Sequence, residues 1–313
     1  MGKCESKKIL VGVTIFLALL MAIPAGCSGG GRQQGFDLRH CIIPQDQIVG
    51  GGPGKDGIPA ITDPDVVPAR EAGYLRPEDT VVGVGIEGKA RAYPLRILVW
   101  HENVNDTLAG KPIAVSYCPL CNSAIVFDRK VGGEVREFGI SGLLWNSNVL
   151  LYDRQGGDPK KESLWSQVGM RAVCGPAARR GLKLEALPSQ LLSWQRWRQR
   201  HPKTTVLSLD TGYNRNYGRH PYERYFQSDG VMFPVTSSAA QRRRFPNKEQ
   251  MVVVSVGGRL KAYATSDIAR AAGRDGRMTD TFTGARIRFT YHPDTDRVSV
   301  RFLEEPEDGG QTA

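Results

Sequence analysis

The chain holds 313 residues, 40% of them hydrophobic and 24% charged, with 42 Lys and Arg against 32 Asp and Glu for a formal charge of +10. That length is ample for a large core in one or two domains. One apolar run stands near the N-terminus and no second candidate span follows it, which excludes a multi-span membrane protein.

Lys3, Lys7 and Lys8 precede an apolar stretch from Ile9 to Ile23, broken only by Gly12 and Thr14. The stretch falls short of the roughly 20 residues of a bilayer helix. A basic flank, a short apolar core and then small residues describe a secretory signal. Ala25-Gly26-Cys27-Ser28 resembles a bacterial lipoprotein cleavage box with Cys27 as the lipid-bearing residue, although Pro24 replaces the usual branched aliphatic residue. The alternative is an ordinary signal peptide with an incidental cysteine. Residues 1–26 are therefore expected to be a lipoprotein signal peptide, and 27–57 a tether and irregular arm that starts with Gly29-Gly30-Gly31. The expected location is the cell envelope, as a membrane-anchored lipoprotein facing outside the cytoplasm. Nucleic acid is not an expected partner there. Arg179-Arg180 and Arg242-Arg243-Arg244 read as a solvated face suited to anionic headgroups. With Cys4 in the signal and Cys27 lipidated, Cys41, Cys118, Cys121 and Cys174 remain. Disulfides persist in such a compartment, and three pairings stay open.

Folded sequence begins near Ile58-Pro59-Ala60-Ile61. Thr80 to Ala92 alternates around Glu87-Gly88 as a hairpin, and Leu95 to Asn103 suits one or two helical turns. Pro112 to Tyr117 and Ala124 to Asp128 are strand-like, with Cys118-Pro119-Leu120-Cys121 at the turn between them. Val131 to Phe138 continues the hairpin pattern through Gly132-Gly133, and Leu150-Leu151-Tyr152 is a further short strand. Phe138-Gly139-Ile140-Ser141-Gly142 suggests a tight backbone path near a site. The clearest helix starts at a Ser193 cap, carries Trp194 and Trp197, and stops before Pro202.

A repeat runs through this order. Val82 to Tyr93 lines up with Val252 to Tyr263, Asp106 to Ile113 with Asp280 to Ile287, and Tyr117-Cys118-Pro119 with Tyr291-His292-Pro293. The predicted fold is α+β and β-rich. Two related hairpin-containing units, about 58–130 and 245–305, flank a long mixed insertion, 131–244, and 306–313 is a flexible tail. In the second unit His292 and Thr295 stand where the first has Cys118 and Cys121, so the hairpin does not need thiols to form.

Two thiols three residues apart suit a soft-metal knuckle, a redox pair or a disulfide. His101, just upstream of the strand leading to the turn, could join Cys118 and Cys121 as a Cys2His set for copper or zinc, with Glu102 or Asp106 orienting it or handling protons. Asp106 recurs as Asp280, which favours a structural role. A thioredoxin-type pair opens a helix, whereas Ala124-Ile125-Val126-Phe127 reads as strand. The Tyr- and Arg-rich stretch from Thr211 to Tyr225 is suited to covering something polar. No phosphate loop or dinucleotide fingerprint is present.

Gly54-Lys55-Asp56-Gly57-Ile58-Pro59-Ala60, Arg91-Ala92-Tyr93-Pro94-Leu95, His101 to Asp106 and Tyr117 to Ala124 together resemble the bacterial family known as domain of unknown function 3179. Tyr152-Asp153-Arg154, Ser163 to Gln167 and the Thr211 to Tyr225 loop continue the match, with Asn103 where an aliphatic residue is usual. The resemblance implies no activity. A fainter likeness of Asp106 to Val126 is to organomercurial lyases and the copper-carrying lipoprotein of nitrous oxide reductase assembly, and it implies a thiol-bound soft metal. The leading expectation is a lipid-anchored protein that binds copper or zinc through Cys118, Cys121 and His101 and passes it to a metal-receiving protein partner. The alternatives are a thiol-dependent enzyme, redox or covalent, using Cys118, and a non-catalytic binding lipoprotein with structural disulfides.

Overall fold

The computed structural model describes residues 32–236, 244–257, 259–293 and 297–304. The signal segment, Cys27, Gly29-Gly30-Gly31, Arg242-Arg243, Thr295 and the tail 306–313 lie outside the described residues. Strand predominates over five short described helices, in agreement with an α+β, β-rich chain.

In chain order, leaving out the two-residue strands of two small hairpins at 32–37 and 130–135, the strands are β1 (Ile48–Gly50), β2 (Ile61–Thr62), β3 (Val66–Pro68), β4 (Thr80–Ile86) and β5 (Lys89–Pro94), followed by helix α1 (Leu95–His101). Then come β6 (Asn103–Leu108), β7 (Lys111–Cys118), β8 (Ser123–Asp128), β9 (Phe138–Trp145), β10 (Asn148–Asp153), β11 (Leu164–Ser166), β12 (Arg171–Cys174) and α2 (Pro176–Arg179). Next are β13 (Ala186–Leu187), β14 (Ser189–Ser193), α3 (Trp194–Arg200), β15 (Thr205–Leu207) and α4 (Glu223–Phe226). The chain ends in β16 (Met251–Val256), β17 (Arg259–Ala264), α5 (Thr265–Ala271), β18 (Arg277–Phe282), β19 (Ala285–His292) and β20 (Arg297–Glu304).

Three five-stranded sheets carry the N-terminal part, in the orders β14-β4-β5-β15-β3, β13-β8-β7-β6-β2 and β12-β11-β10-β9-β1. All neighbours are antiparallel except β15 with β5 and β2 with β6. The hairpins close tightly because both turn residues adopt positive φ, as in Ala109 (51°) and Gly110 (77°), which matches strand twist. The middle sheet is buried on both faces. Along β7, Ile113, Val115 and Tyr117 face a layer with Val82, Tyr93 and Leu98. Ala114 and Cys118 face the opposite layer with Phe138, Leu151 and Trp165. This is the period of two of a strand with a core on each side. The segment 131–244 thus supplies the sheet that covers the thiol-bearing one, and it also adds β13, β14 and β15 to the other two.

Two glycines fix the approach of that covering sheet. A Cβ on Gly142 (φ 76°) would lie 2.3 Å from the Pro53 carbonyl oxygen, and one on Gly139 would lie 2.4 Å from the Tyr152 ring. The tight path expected around 138–142 is therefore real. Ser193 caps α3 by accepting from the Arg196 N–H, and Gly83 lies flat against Trp197. A Cys41–Cys174 disulfide ties the N-terminal arm to β12, while Cys118 and Cys121 are free.

Hairpin, helix and three strands recur in the C-terminal part: β16, β17, α5, β18, β19 and β20 follow the order of β4, β5, α1, β6, β7 and β8. That part has its own core of Val254, Ile268, Ile287 and Phe289.

Candidate functional site: a thiol pair under a tyrosine-rich loop

The turn between β7 and β8 holds the two thiols at unlike depths. Cys118 ends β7 opposite Ser123, on the strand parity that faces the covering sheet, and is fully buried. Its Sγ lies 4.0 Å from the Ser147 carbonyl oxygen. Cys121, three residues on, has left the sheet and is exposed.

Cys121 Sγ lies 3.0 Å from Ser123 Oγ and 3.1 Å from Asn148 Nδ2. Gln167 holds both partners in place, because its Oε1 accepts from Ser123 Oγ and from Asn148 Nδ2 at 2.8 Å each. Its own Nε2 donates to Ser116 Oγ and to the Ser123 carbonyl, both at 3.2 Å. Asn148 has two N–H protons, one for Cys121 and one for Gln167. The hydroxyl of Ser123 can turn its single proton to the sulfur when that sulfur ionises.

These contacts split the two acidities. Burial pushes the Cys118 thiol well up, so it keeps its proton. The hydrogen bond from Cys118, with those from Ser123 and Asn148, pulls Cys121 down to about 6 against the opposing effect of burial. Cys121 is the thiolate at neutral pH and Cys118 the thiol.

Glu102 ends α1 in the left-handed region, at φ 55°, which swings its side chain away from the helix and into the interior. Its backbone ties α1 to β7, since the Tyr117 N–H donates to its carbonyl at 2.8 Å. Burial lifts the Glu102 carboxyl to about 8, opposed by the Tyr222 hydroxyl that donates to it at 3.1 Å, while the Cys121 charge adds to the rise. Glu102 is therefore a buried carboxyl that keeps its proton at neutral pH.

His101 is not brought to the thiols. Its Nδ1 lies 2.7 Å from the Pro59 carbonyl, which can only accept, so Nδ1 carries the proton and Nε2 accepts from Tyr217 at 2.7 Å. Both ring nitrogens are therefore engaged, and burial pushes the imidazole pKa down. Asp106 is also elsewhere, accepting from Arg91 Nη1 at 2.6 Å, Tyr93 at 2.6 Å and the Thr107 N–H at 2.6 Å. Among the described residues no group of three or more His, Cys, Asp and Glu is placed to hold a metal. Asn103 is buried, with its Nδ2 donating to the Phe138 carbonyl at 2.9 Å and its Oδ1 left without a partner.

The Thr211 to Tyr225 stretch does cover polar groups. Tyr217 meets His101, Tyr222 meets Glu102, and Tyr225 donates to the Leu120 carbonyl at 2.8 Å. Lys248 lies 3.6 Å above the Tyr225 ring. Between this loop and the turn is a cavity of about 340 Å3 lined by Cys121, Leu120, Ser147, Tyr225, Phe226 and Lys248 among others. The sequence pattern did not single out Asn148, which sits just after the positive-φ turn Asn146-Ser147. Its only signal was an Asn-Ser-Asn run between two apolar segments.

A family model described as "Protein of unknown function (DUF3179)" matches residues 55–309. The chain belongs to that family. No curated protein matches it, and no solved structure does, so the fainter likeness to organomercurial lyases and the copper lipoprotein gains no support. The match takes in both the thiol turn and the C-terminal strands.

Proposed function

We propose that the protein is a thiol–disulfide oxidoreductase of the cell envelope, with Cys121 as the attacking thiolate. The observation that carries the reading is the unlike placement of the pair. One sulfur stands at a cavity with two hydrogen-bond partners at 3.0 and 3.1 Å, and the other is buried behind it. Cys121 attacks one sulfur of a substrate disulfide, and the other sulfur leaves as a thiolate that takes a proton. Cys118 then attacks Cys121 Sγ, and the second substrate sulfur leaves with the proton that Cys118 gives up, departing as a thiol. The substrate gains two electrons and the Cys118–Cys121 pair loses them, forming its own disulfide. A partner dithiol resets the pair, and the reverse sequence oxidises a dithiol.

The experiment is trapping on the full chain with oxidised glutathione. Cys118→Ser should accumulate a mixed disulfide on Cys121, visible by intact mass and peptide mapping, and Cys121→Ser should accumulate none. Equal adducts on both variants, or none on either, would overturn the reading. The copper or zinc reading rests on the same two sulfurs, without His101 as a third ligand. Stoichiometric metal that persists in purified protein and disappears in Cys121→Ser would favour it instead.

The lipid anchor at Cys27 and the envelope location belong to this proposal, and the Cys41–Cys174 disulfide agrees with an oxidising compartment. We also propose that the two hairpin-containing units are duplicates. Asp280 accepts from Lys261 at 2.7 Å, Tyr263 at 2.8 Å and the Thr281 N–H at 2.8 Å, matching Asp106 with Arg91, Tyr93 and Thr107. The Tyr291 N–H donates to the Gly276 carbonyl as that of Tyr117 does to Glu102.

A further inference from the structure

A thiol pair can run as a reductant or as an oxidant, and the direction follows from which redox state its surroundings hold better. Three donors converge on Cys121 Sγ. Ser123 Oγ lies 3.0 Å away and Asn148 Nδ2 3.1 Å away, and the Cys118 S–H is the third. Asn148 is buried and fixed at its other atoms. Its Nδ2 also donates to Gln167 Oε1 at 2.8 Å, and its Oδ1 accepts from the Val168 N–H at 3.2 Å. Turning the amide away from the sulfur would break both of these bonds.

The Asn148 N–H therefore faces the sulfur in both redox states, but only one state uses it fully. In the reduced pair Cys121 is an anion, and a hydrogen bond to a charged group is worth more than one to a neutral group. In a Cys118–Cys121 disulfide the same sulfur is a neutral, weak acceptor, and the Cys118 S–H no longer exists. Cys118 adds no opposing bias, because its buried sulfur is uncharged as a thiol and as a disulfide. We infer, on the thiol–disulfide reading above, that the pair is an oxidant of substrate dithiols and that Asn148 is the positioning residue that sets this direction. A substrate thiolate attacks Cys121 Sγ, the sulfur at the cavity, and Cys118 leaves and takes a proton. The second substrate thiolate attacks the substrate sulfur of the mixed disulfide, and Cys121 leaves as the thiolate. The substrate loses two electrons and two protons. Both electrons pass to the pair, one proton goes to Cys118 and the other to solvent. A more oxidising partner disulfide then restores the Cys118–Cys121 bond by the same exchange.

The test is the redox equilibrium of the full chain in glutathione buffers of graded ratio at pH 7. Alkylation and peptide mapping count Cys118 and Cys121 apart from Cys41 and Cys174, and thioredoxin in the same buffers is the reference. The pair should be at least tenfold easier to reduce than thioredoxin, about 30 mV for a two-electron couple. Asn148→Ala should shift the equilibrium roughly tenfold toward the disulfide, the lower end for a hydrogen bond to a charged group. Ser123→Ala, which leaves Asn148 in place, should shift it the same way. A merely structural role would lower stability and leave this ratio alone. A pair as reducing as thioredoxin, or an equilibrium that neither variant moves, would overturn the direction. The Cys121 mixed disulfide of Cys118→Ser would still form in that case, so this failure is distinct from failure of the thiol reading.

Discussion

Alkylation of Cys121 as a function of pH is the most direct probe of the site, and Cys118→Ala is the perturbation that tests its cause. With its pKa near 6, Cys121 is about 90% thiolate at pH 7, against about 3% for a free thiol of about 8.5. That is a gain of about 30-fold in reactive form. A weaker base is also a poorer nucleophile, and a Brønsted coefficient of about 0.45 over 2.5 units costs about 13-fold. The net acceleration over a free thiol at pH 7 is then only about twofold. The absolute rate discriminates poorly, and the midpoint of the profile decides. Iodoacetamide rates on the Cys121 peptide, read by mass spectrometry from pH 4.5 to 9.5, should turn over near pH 6. Cys118→Ala removes the largest contribution to that depression. Loss of a hydrogen bond to a charged group is worth about 1.5–3 kcal/mol, or about one to two pKa units, so the variant should turn over near pH 7–8. A wild-type midpoint near 8.5, or a midpoint that Cys118→Ala leaves in place, would refute the account.

Glu102 adds a pH dependence of stability with a definite sign. The folded chain holds its proton up to about pH 8 and the unfolded chain only to about 4.3, so this stabilisation is full below that lower value and lost as pH rises through about 8. Glu102→Gln keeps an acceptor for Tyr222 and should gain on the wild type by several kcal/mol, on the order of 4, between pH 4.5 and 8.5, measured by denaturant unfolding; parallel curves would count against it. Asp106→Ala strands Arg91 and Tyr93 in a nearly buried cluster and should cost about 3–5 kcal/mol. Asp280→Ala breaks an ion pair whose side chains are 41% and 34% exposed and should cost about 0–1 kcal/mol; equal losses would sink the burial argument. Gly142→Ala should destabilise by on the order of 3 kcal/mol, since it combines a positive φ with a clash against backbone at 2.3 Å, and an unchanged Tm would disprove that path.

The turn that carries the thiols was legible because its flanks alternate. Ile113, Val115 and Tyr117 mark one face of a strand, and Ala109-Gly110 marks the turn before it. The Ser193 cap and the close approach at Gly139 and Gly142 were legible for similarly local reasons. The roles within the site were not. Period two says that Cys118 lies opposite Tyr117 across the sheet, but not that a second sheet buries that face; this burial keeps Cys118 a thiol, while hydrogen bonds lower the Cys121 pKa. Asn148 reaches the sulfur from β10, and Gln167, just after β11, holds Asn148 and Ser123 in place, at separations that no short motif spans. His101 misled for a related reason. Its place beside β6 suggests a ring turned to the turn, whereas Pro59 and Tyr217, each far away in sequence, engage both nitrogens.

The C-terminal strands explain why such a site arises once in a chain that builds the same order of elements twice. In β18 the burial alternates between exposed and intermediate, and in β19 Ala285, Ile287 and Phe289 are buried while Arg286 is exposed. That sheet has one core and one open face. Strand β7 is buried through its last six residues, because the segment 131–174 has closed over its second face. A thiol at the Cys118 position is desolvated only under that cover, and a thiolate at the Cys121 position receives Asn148, itself held by Gln167, only from it. His292, at the end of β19, is half-buried and lines a cleft with Arg196, Arg200 and Arg297 instead. The Asp-Tyr-cation cluster recurs in both places and stabilises the hairpins without reference to chemistry. The split in acidity between the two thiols therefore depends on the sheet laid across the Cys-Pro-Leu-Cys turn as well as on the turn itself. Substitution of Asn148, which leaves the turn intact, should raise the Cys121 pKa in the same direction as Cys118→Ala but by less, because the hydrogen bond from Cys118 is the larger of the two.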